Sequence, residues 1–142
     1  MKQLQVFVVA VCVWCGAAQA PSAHHAFAAE FDAHKPITLR GVVTKMEWVN
    51  PHSWIHLDVK EPNGTVKKWM VEGGPPNALL RRGLSRSSLL AGTEVVVEGF
   101  LSKDGSNKAN GRDVTLADGQ KLFLGSSGTG APQDGRDPTE KK

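Results

Sequence analysis

Four of the five histidines in this chain lie in two short segments, and they are the residues best suited to chemistry. His24 and His25 are adjacent in "SAHHAF", and His52 and His56 lie in "NPHSWIH". Imidazole nitrogen is a common ligand of copper, zinc and other transition metals. Whether these histidines form a metal site depends on the elements that hold them.

The first 23 residues predict a secretory signal peptide. The segment begins with Lys2, continues with the apolar run "LQVFVVAVCVW" and ends in small residues. This run is shorter than the roughly 20 residues that a membrane span needs, so we expect a periplasmic or secreted protein without stable membrane insertion. Cleavage after Ala18, Ala20 or Ala23 is compatible with the sequence.

Cleavage after Ala23 would make His24 the amino-terminal residue of the mature protein. Its α-amine, with a pKa of about 7.7 to 8.0 in model peptides, and its ring nitrogen could then chelate one metal ion. His25, or a histidine from the folded domain such as His52, could complete a nitrogen-rich site. Such a donor set suits Cu(II), so copper is the cofactor that these three histidines suggest.

The strand pattern around His56 limits what the other histidines can do. Residues four apart in a strand lie about 13 Å apart, so His52 and His56 could share a metal only if a turn at Pro51 folds His52 back. His56 and Asp58 lie about 6.6 Å apart on one face. That spacing suits a carboxylate that orients an imidazole, and it equally suits an exposed pair without a role.

The elements that must position these residues form the pattern of a small β-barrel. Strands are predicted over 37–50, 54–60, 65–73, 93–103 and 112–125. We expect a bulge at Gly41, a hairpin turn at Asn63-Gly64 and another at Asp118-Gly119.

One short helix is predicted from Asn77 to Arg82, and a further turn of helix or a loop near Ser87 to Leu90. Three strands, a helix and then further strands is the order of an OB-fold, which is a small Greek-key barrel. A β-sandwich is the alternative fold, because strand spacing alone does not distinguish the two.

Three tryptophans fall on successive predicted strands. Alternation in "WIHLDVK" places Trp54 on the outer face with His56 and Asp58. OB-folds commonly bind ligands on this region, so these three residues with Trp48 and Trp69 form the predicted ligand-binding face. In the alternative interpretation, the tryptophan rings cap the barrel or pack under the amino-terminal segment.

The mature chain divides into three parts. Residues 24–36 are predicted to be an amino-terminal arm, whose Phe27 and Phe31 pack on the barrel, and residues 37–124 form the OB-like domain. Residues 125–142 are rich in Gly, Ser, Pro and charge, which predicts a disordered tail. Both cysteines lie within the predicted signal peptide, so the stability of the mature protein must come from a packed core.

Charge and motifs exclude several classes of function. The net charge of the chain is +3, and removal of Lys2 leaves +2, which is too small to predict a nucleic-acid partner. The sequence has no G-x-S-x-G, H-E-x-x-H or phosphate-binding glycine loop, so we expect no enzymatic activity.

Two segments resemble a known family. "HHAFAAEFD" and "EWVNPHSWI" are similar to a family of small exported bacterial proteins classed as domain of unknown function 6152. The resemblance covers His24 to Gly125. It implies export and a histidine pair at or near the signal cleavage site, and it supplies no established activity from which functional residues could be assigned.

The sequence thus favours an exported, non-enzymatic binding module whose partner is a small ligand, a metal such as Cu(II), or a periplasmic protein. The alternative is an accessory subunit that docks to a periplasmic complex through the tryptophan face.

Overall fold

The computed structural model describes residues 23–125, and the side chains of residues 23–26 are outside the described part. The predicted signal peptide before Ala23 and the tail after Gly125 also lie outside it. The elements in chain order are α1 (Ala23–Glu30), β1 (Phe31–Glu47), β2 (Trp54–Lys60), β3 (Val66–Glu72), α2 (Pro76–Arg81), β4 (Glu94–Ser102), β5 (Lys108–Thr115) and β6 (Lys121–Phe123).

The strands form one sheet that closes on itself. Their order is β3-β2-β1-β4-β5-β6, and a parallel pairing between β3 and β5 joins the two ends of the five longer strands. The other pairings are antiparallel. The resulting ring of hydrogen bonds, β1-β2-β3-β5-β4, confirms the predicted mostly β, OB-like fold and differs from the two separate sheets of a sandwich.

Strand β1 is long because it pairs with two neighbours. Its first part pairs with β4 up to Val42, and its second part pairs with β2 from Val42 to Glu47. The bulge predicted at Gly41 is wrong: the register with β2 shifts between Val43 and Lys45. Gly41 instead permits a close approach, because a Cβ there would lie 2.7 Å from the carbonyl oxygen of Asp58.

The side chains of β2 point alternately to the inside and the outside of the ring, as predicted. Ile55, Leu57 and Val59 are buried, whereas Trp54, His56 and Asp58 are partly exposed. The buried residues of β2 join a core that includes Val71, Leu79 and Val114. Burial of a large aliphatic side chain contributes about 1.5–3 kcal/mol, so this inner face is the main source of stability.

Residues 23–125 contain two short helices where one was predicted. The predicted helix corresponds to α2, which begins at Pro76 after the extended Pro75, and residues 86–89 form a turn. The additional helix, α1, lies in the segment predicted as an arm. None of the helices in residues 23–125 is long and apolar enough to cross a membrane.

Helix α1 packs on the ring through phenylalanines. The Phe27 and Phe100 rings meet edge to face with centroids 5.7 Å apart, and Phe31 lies 5.8 Å from Phe27. The backbone N–H of Lys103 donates to the carbonyl oxygen of Glu30 at 2.8 Å, which fixes the end of α1. The predicted packing of Phe27 and Phe31 is thus observed, with β1 beginning at Phe31.

The last two strands differ from prediction in one boundary. Both predicted hairpin turns are present, and Gly64 and Gly119 have φ of 86°. However, β5 begins at Lys108, inside "KDGSNKANGR", which reads as a flexible loop in the sequence. This earlier start places Asn110 in the sheet, where it is paired with Phe100 of β4 and Glu72 of β3.

Candidate functional site

The outer face of β1, β2 and β3 brings two glutamates to either side of Trp54. Glu47 of β1 and Glu72 of β3 are both paired with Trp54 in the sheet register. Directly opposed residues of neighbouring strands project from the same face, so the three side chains form a row. Each glutamate in this row contacts a different histidine.

Glu47 contacts His56. The Nε2 atom of His56 lies 3.2 Å from Oε1 of Glu47, and Lys45 forms an ion pair with the same carboxylate. The hydrogen bond from Lys45 lowers the pKa of Glu47, with smaller contributions from the charges of Lys45 and His56. The carboxylate partner of His56 is therefore Glu47, whereas the sequence pointed to Asp58, which forms an ion pair with Lys68 at 3.4 Å.

Glu72 contacts His52, which lies in the connection between β1 and β2. Pro51 follows a cis peptide bond, and the backbone of Ser53 exchanges hydrogen bonds with Gly73 and Gly74 beyond β3. This arrangement places Nδ1 of His52 3.1 Å from Oε1 of Glu72. His52 and His56 therefore bind separate carboxylates, and they do not form the pair that a folded-back turn at Pro51 would have allowed.

Burial changes the acid strength of Glu72. Its side chain is only 8% exposed, and the loss of hydration raises the pKa of the carboxyl to about 7. The charge of Glu30 is a smaller cause of this rise, and Lys108 and a hydrogen bond from Asn110 act against it. Asn110 Nδ2 donates to Glu72 Oε1 at 3.4 Å, while its buried Oδ1 has no partner within residues 23–125.

The charge at the end of α1 acts on this carboxyl group. Lys108 forms an ion pair with Glu30, the last residue of α1, at 3.2 Å, and both charges act on Glu72. His24 and His25 are in the first turn of α1, six and five residues before Glu30, or about 9 Å and about 8 Å along the helix axis. Their side chains are outside the described part of the structure. Among the described residues, no three His, Cys, Asp or Glu side chains lie close enough to hold a metal ion.

The three tryptophans do not share one face. Trp48 packs against the core, with the guanidinium of Arg86 5.5 Å from the centre of its ring. Trp69 is paired with the inward-facing Leu57 and also packs against the core, where its Nε1 is buried without a partner in the described residues. Of the predicted ligand-binding residues, Trp54, His56 and Asp58 remain together on the outer face.

A comparison with known families identifies the chain. Residues 11–111, more than half of the sequence, match the model of a family described as "Family of unknown function (DUF6152)". The chain belongs to this family. The predicted resemblance to this family is confirmed, and the segments "HHAFAAEFD" and "EWVNPHSWI" lie within the matched range. No curated protein matches the chain.

Sequence reasoning about this DUF6152 protein missed Glu47, Glu72 and Asn110. Glu47 opens the segment "EWVNPHSWI", and its contact with His56 could have been found by pairing β1 and β2 around the intervening turn. Glu72 precedes two glycines at a strand end, and Asn110 lies in a stretch that resembles a loop. No local pattern signals the burial of these two residues, because it arises where β3 and β5, which are far apart in the sequence, pair with each other.

Proposed function

We propose that the protein is an exported binding module that holds a divalent metal ion, with Cu(II) the best match. The ligands in this proposal are His52, Glu72 and the histidines that begin α1. The observation that carries it is the contact between His52 and the buried carboxyl of Glu72. The proposal is for binding, since the sequence contains no catalytic motif.

The separation of the two atoms suits a shared metal ion. With metal–ligand bonds of about 2.0–2.1 Å, neighbouring ligand atoms lie about 2.9 Å apart at 90° and about 3.3 Å apart at the tetrahedral angle. Nδ1 of His52 and Oε1 of Glu72 are 3.1 Å apart, between these two values. A metal ion could therefore replace the proton between them with little movement of the backbone.

Two ligands do not hold a metal tightly, and in this proposal the histidines of α1 supply the others. Its last residue, Glu30, acts electrostatically on Glu72, and His25 is about 8 Å away along the helix axis. If signal cleavage follows Ala23, the α-amine of His24 becomes a further nitrogen donor. Several nitrogens and one carboxylate oxygen form a donor set typical of Cu(II).

A copper titration of the processed protein tests this proposal. Mass spectrometry first establishes the amino-terminal residue of protein purified from a bacterial periplasm. Metal-free protein is then titrated with Cu(II) by calorimetry, and spin resonance reports how many nitrogens coordinate the ion. Loss of one ligand from a chelate weakens binding by about tenfold or more, so we expect that effect for His52→Ala and for Glu72→Gln.

His56→Ala is the matched control, because His56 lies on the same face and also contacts a glutamate but is not among the proposed ligands. It should bind Cu(II) like the wild type. His24→Ala and His25→Ala test the contribution of α1. Equal affinity of the His52→Ala variant and the wild type, or stronger loss in the His56→Ala control, would refute the proposed site.

Docking to a periplasmic protein is the second candidate function. It is supported by partly exposed Trp54 and by Met70, which is 39% exposed on the same outer face. A complex recovered with the wild type and with Val66→Ala, but lost with Trp54→Ala, would support this role. Recovery of the same complex with Trp54→Ala would exclude docking through this face.

A further inference from the structure

A cleft opens on the outside of the ring where β1 and β2 separate. Their ladder ends at Val42 and Asp58; β2 continues to Lys60 alongside β3, and the preceding residues of β1 pair with β4. The resulting cleft has a volume of about 550 Å³, within the range of small-molecule sites. Asp58 and Lys60, which line it, lie at the opposite end of β2 from Trp54 and the contact between His52 and Glu72.

The cleft has an apolar floor and two cations that have no partner among the described residues. Val42 and Val96 are neighbouring outward residues of β1 and β4, and Arg40 is paired directly with Val96 in the register. Neither Arg40 nor Lys60 has an ion pair or hydrogen bond within residues 23–125. A guanidinium offers two parallel N–H groups that match the two oxygens of a carboxylate.

The acidic residues of the cleft limit the charge of a ligand. Asp58 forms an ion pair with the exposed Lys68, which offsets part of its negative charge. Glu94 lies on the β4 wall and has no partner among the described residues. A multiply charged anion such as phosphate would be repelled by Glu94, whereas a ligand with one carboxylate would not need to approach it, and an ammonium group on the same ligand would be attracted.

We propose that this cleft binds a small organic carboxylate with a short carbon chain. The guanidinium of Arg40 binds both oxygens of the ligand's carboxylate, and Lys60 supplies a second positive charge. The chain lies on Val42 and Val96. This site is separate from the proposed metal site, and none of its residues is a proposed metal ligand.

Nuclear magnetic resonance of the metal-free, ¹⁵N-labelled mature protein tests the proposal. The probes are sodium butyrate, α-aminobutyrate and inorganic phosphate, each added to millimolar concentration in the presence of a chelator. We expect both carboxylates to shift the amide signals of residues 40–42, 58–60 and 94–96 in a saturable way. Tighter binding of α-aminobutyrate than of butyrate would also support the proposal and would identify Glu94 as the partner of the ammonium group.

Two variants distinguish specific recognition of the carboxylate by Arg40 from a general effect of positive charge. Arg40→Gln should weaken butyrate binding by about tenfold or more, because it removes a bidentate charged contact. Arg81→Gln is the control: it makes the same change in net charge on α2, and it should leave butyrate binding unchanged. Circular dichroism checks that both variants fold, as expected for changes of exposed residues.

Three results would overturn the proposal. The first is the absence of saturable shifts in the cleft with either carboxylate. The second is binding of phosphate at least as tight as that of butyrate, which would indicate a simple cationic patch. The third is an equal effect of Arg40→Gln and Arg81→Gln. Because chelator is present throughout, none of these results depends on whether the metal site exists.

Discussion

Replacing Glu72 with glutamine should stabilise the metal-free protein at neutral and alkaline pH. Burial raises the pKa of this carboxyl from its ordinary value of 4.5 to about 7. The folded chain therefore holds the proton more tightly than the unfolded chain does. Glutamine resembles the protonated acid in shape, accepts the hydrogen bond from Asn110 and never ionises.

The direction of the pH dependence follows from proton binding. Below about pH 4.5 the carboxyl is protonated in both states, and its ionisation has no effect on stability. As the pH rises from 4.5 to about 7, the unfolded chain releases its proton first, so the free energy of unfolding falls. Above about pH 7 the loss is complete, and the difference between the two pKa values corresponds to about 3 kcal/mol.

Urea denaturation followed by tryptophan fluorescence measures this effect. Wild type and Glu72→Gln are compared between about pH 4 and pH 9 in buffers that contain a chelator. The variant should match the wild type closely at the acid end and exceed its stability by up to about 3 kcal/mol above neutral pH. Glu94→Gln, which removes an exposed carboxylate of β4, is the control and should follow the wild type closely. A difference between Glu72→Gln and wild type that is constant across this pH range would refute the reasoning.

Three further substitutions test the packing that supports the site. Gly99→Ala should destabilise the protein by about 2 kcal/mol or more, because its Cβ would lie 2.1 Å from the backbone oxygen of Asn110; thermal and urea unfolding measure the loss. Phe27→Ala should cost about 3–5 kcal/mol of unfolding free energy, since it removes a ring that is 2% exposed and packs on Phe100. Val66→Ala, at a position that is 57% exposed, should change the unfolding free energy by less than about 0.5 kcal/mol, and a loss comparable to that of Phe27→Ala would contradict the packing described here.

Local sequence patterns were sufficient to predict the regular parts of the fold. Alternation from Trp54 to Lys60 predicts which side chains of β2 are buried, because the period of a strand is two residues. The glycines of "PNGT" and "ADGQ" mark turns, since Gly64 and Gly119 adopt positive φ. The order of strands and helix then predicts an OB-like fold, because short connections leave few ways to arrange them.

Boundaries set by contacts between distant segments were not predicted correctly. The stretch "KANGR" resembles a loop because Asn and Gly are poor strand formers. In the structure Gly111 belongs to β5, where a Cβ would lie 2.4 Å from a side-chain carbon of Leu124. The glycine therefore serves a close approach within the sheet, and only the tertiary structure distinguishes that role from a turn.

The amino-acid sequence by itself determined the family, the strand alternation and the presence of histidines in two short segments. The tertiary structure alone determined the partners of His52 and His56. Their glutamates come from β3 and β1, and they meet the histidines because the sheet register places both beside Trp54. The raised pKa of Glu72 likewise depends on burial and on the charge of Glu30 at the end of α1, which come from segments far apart in the chain.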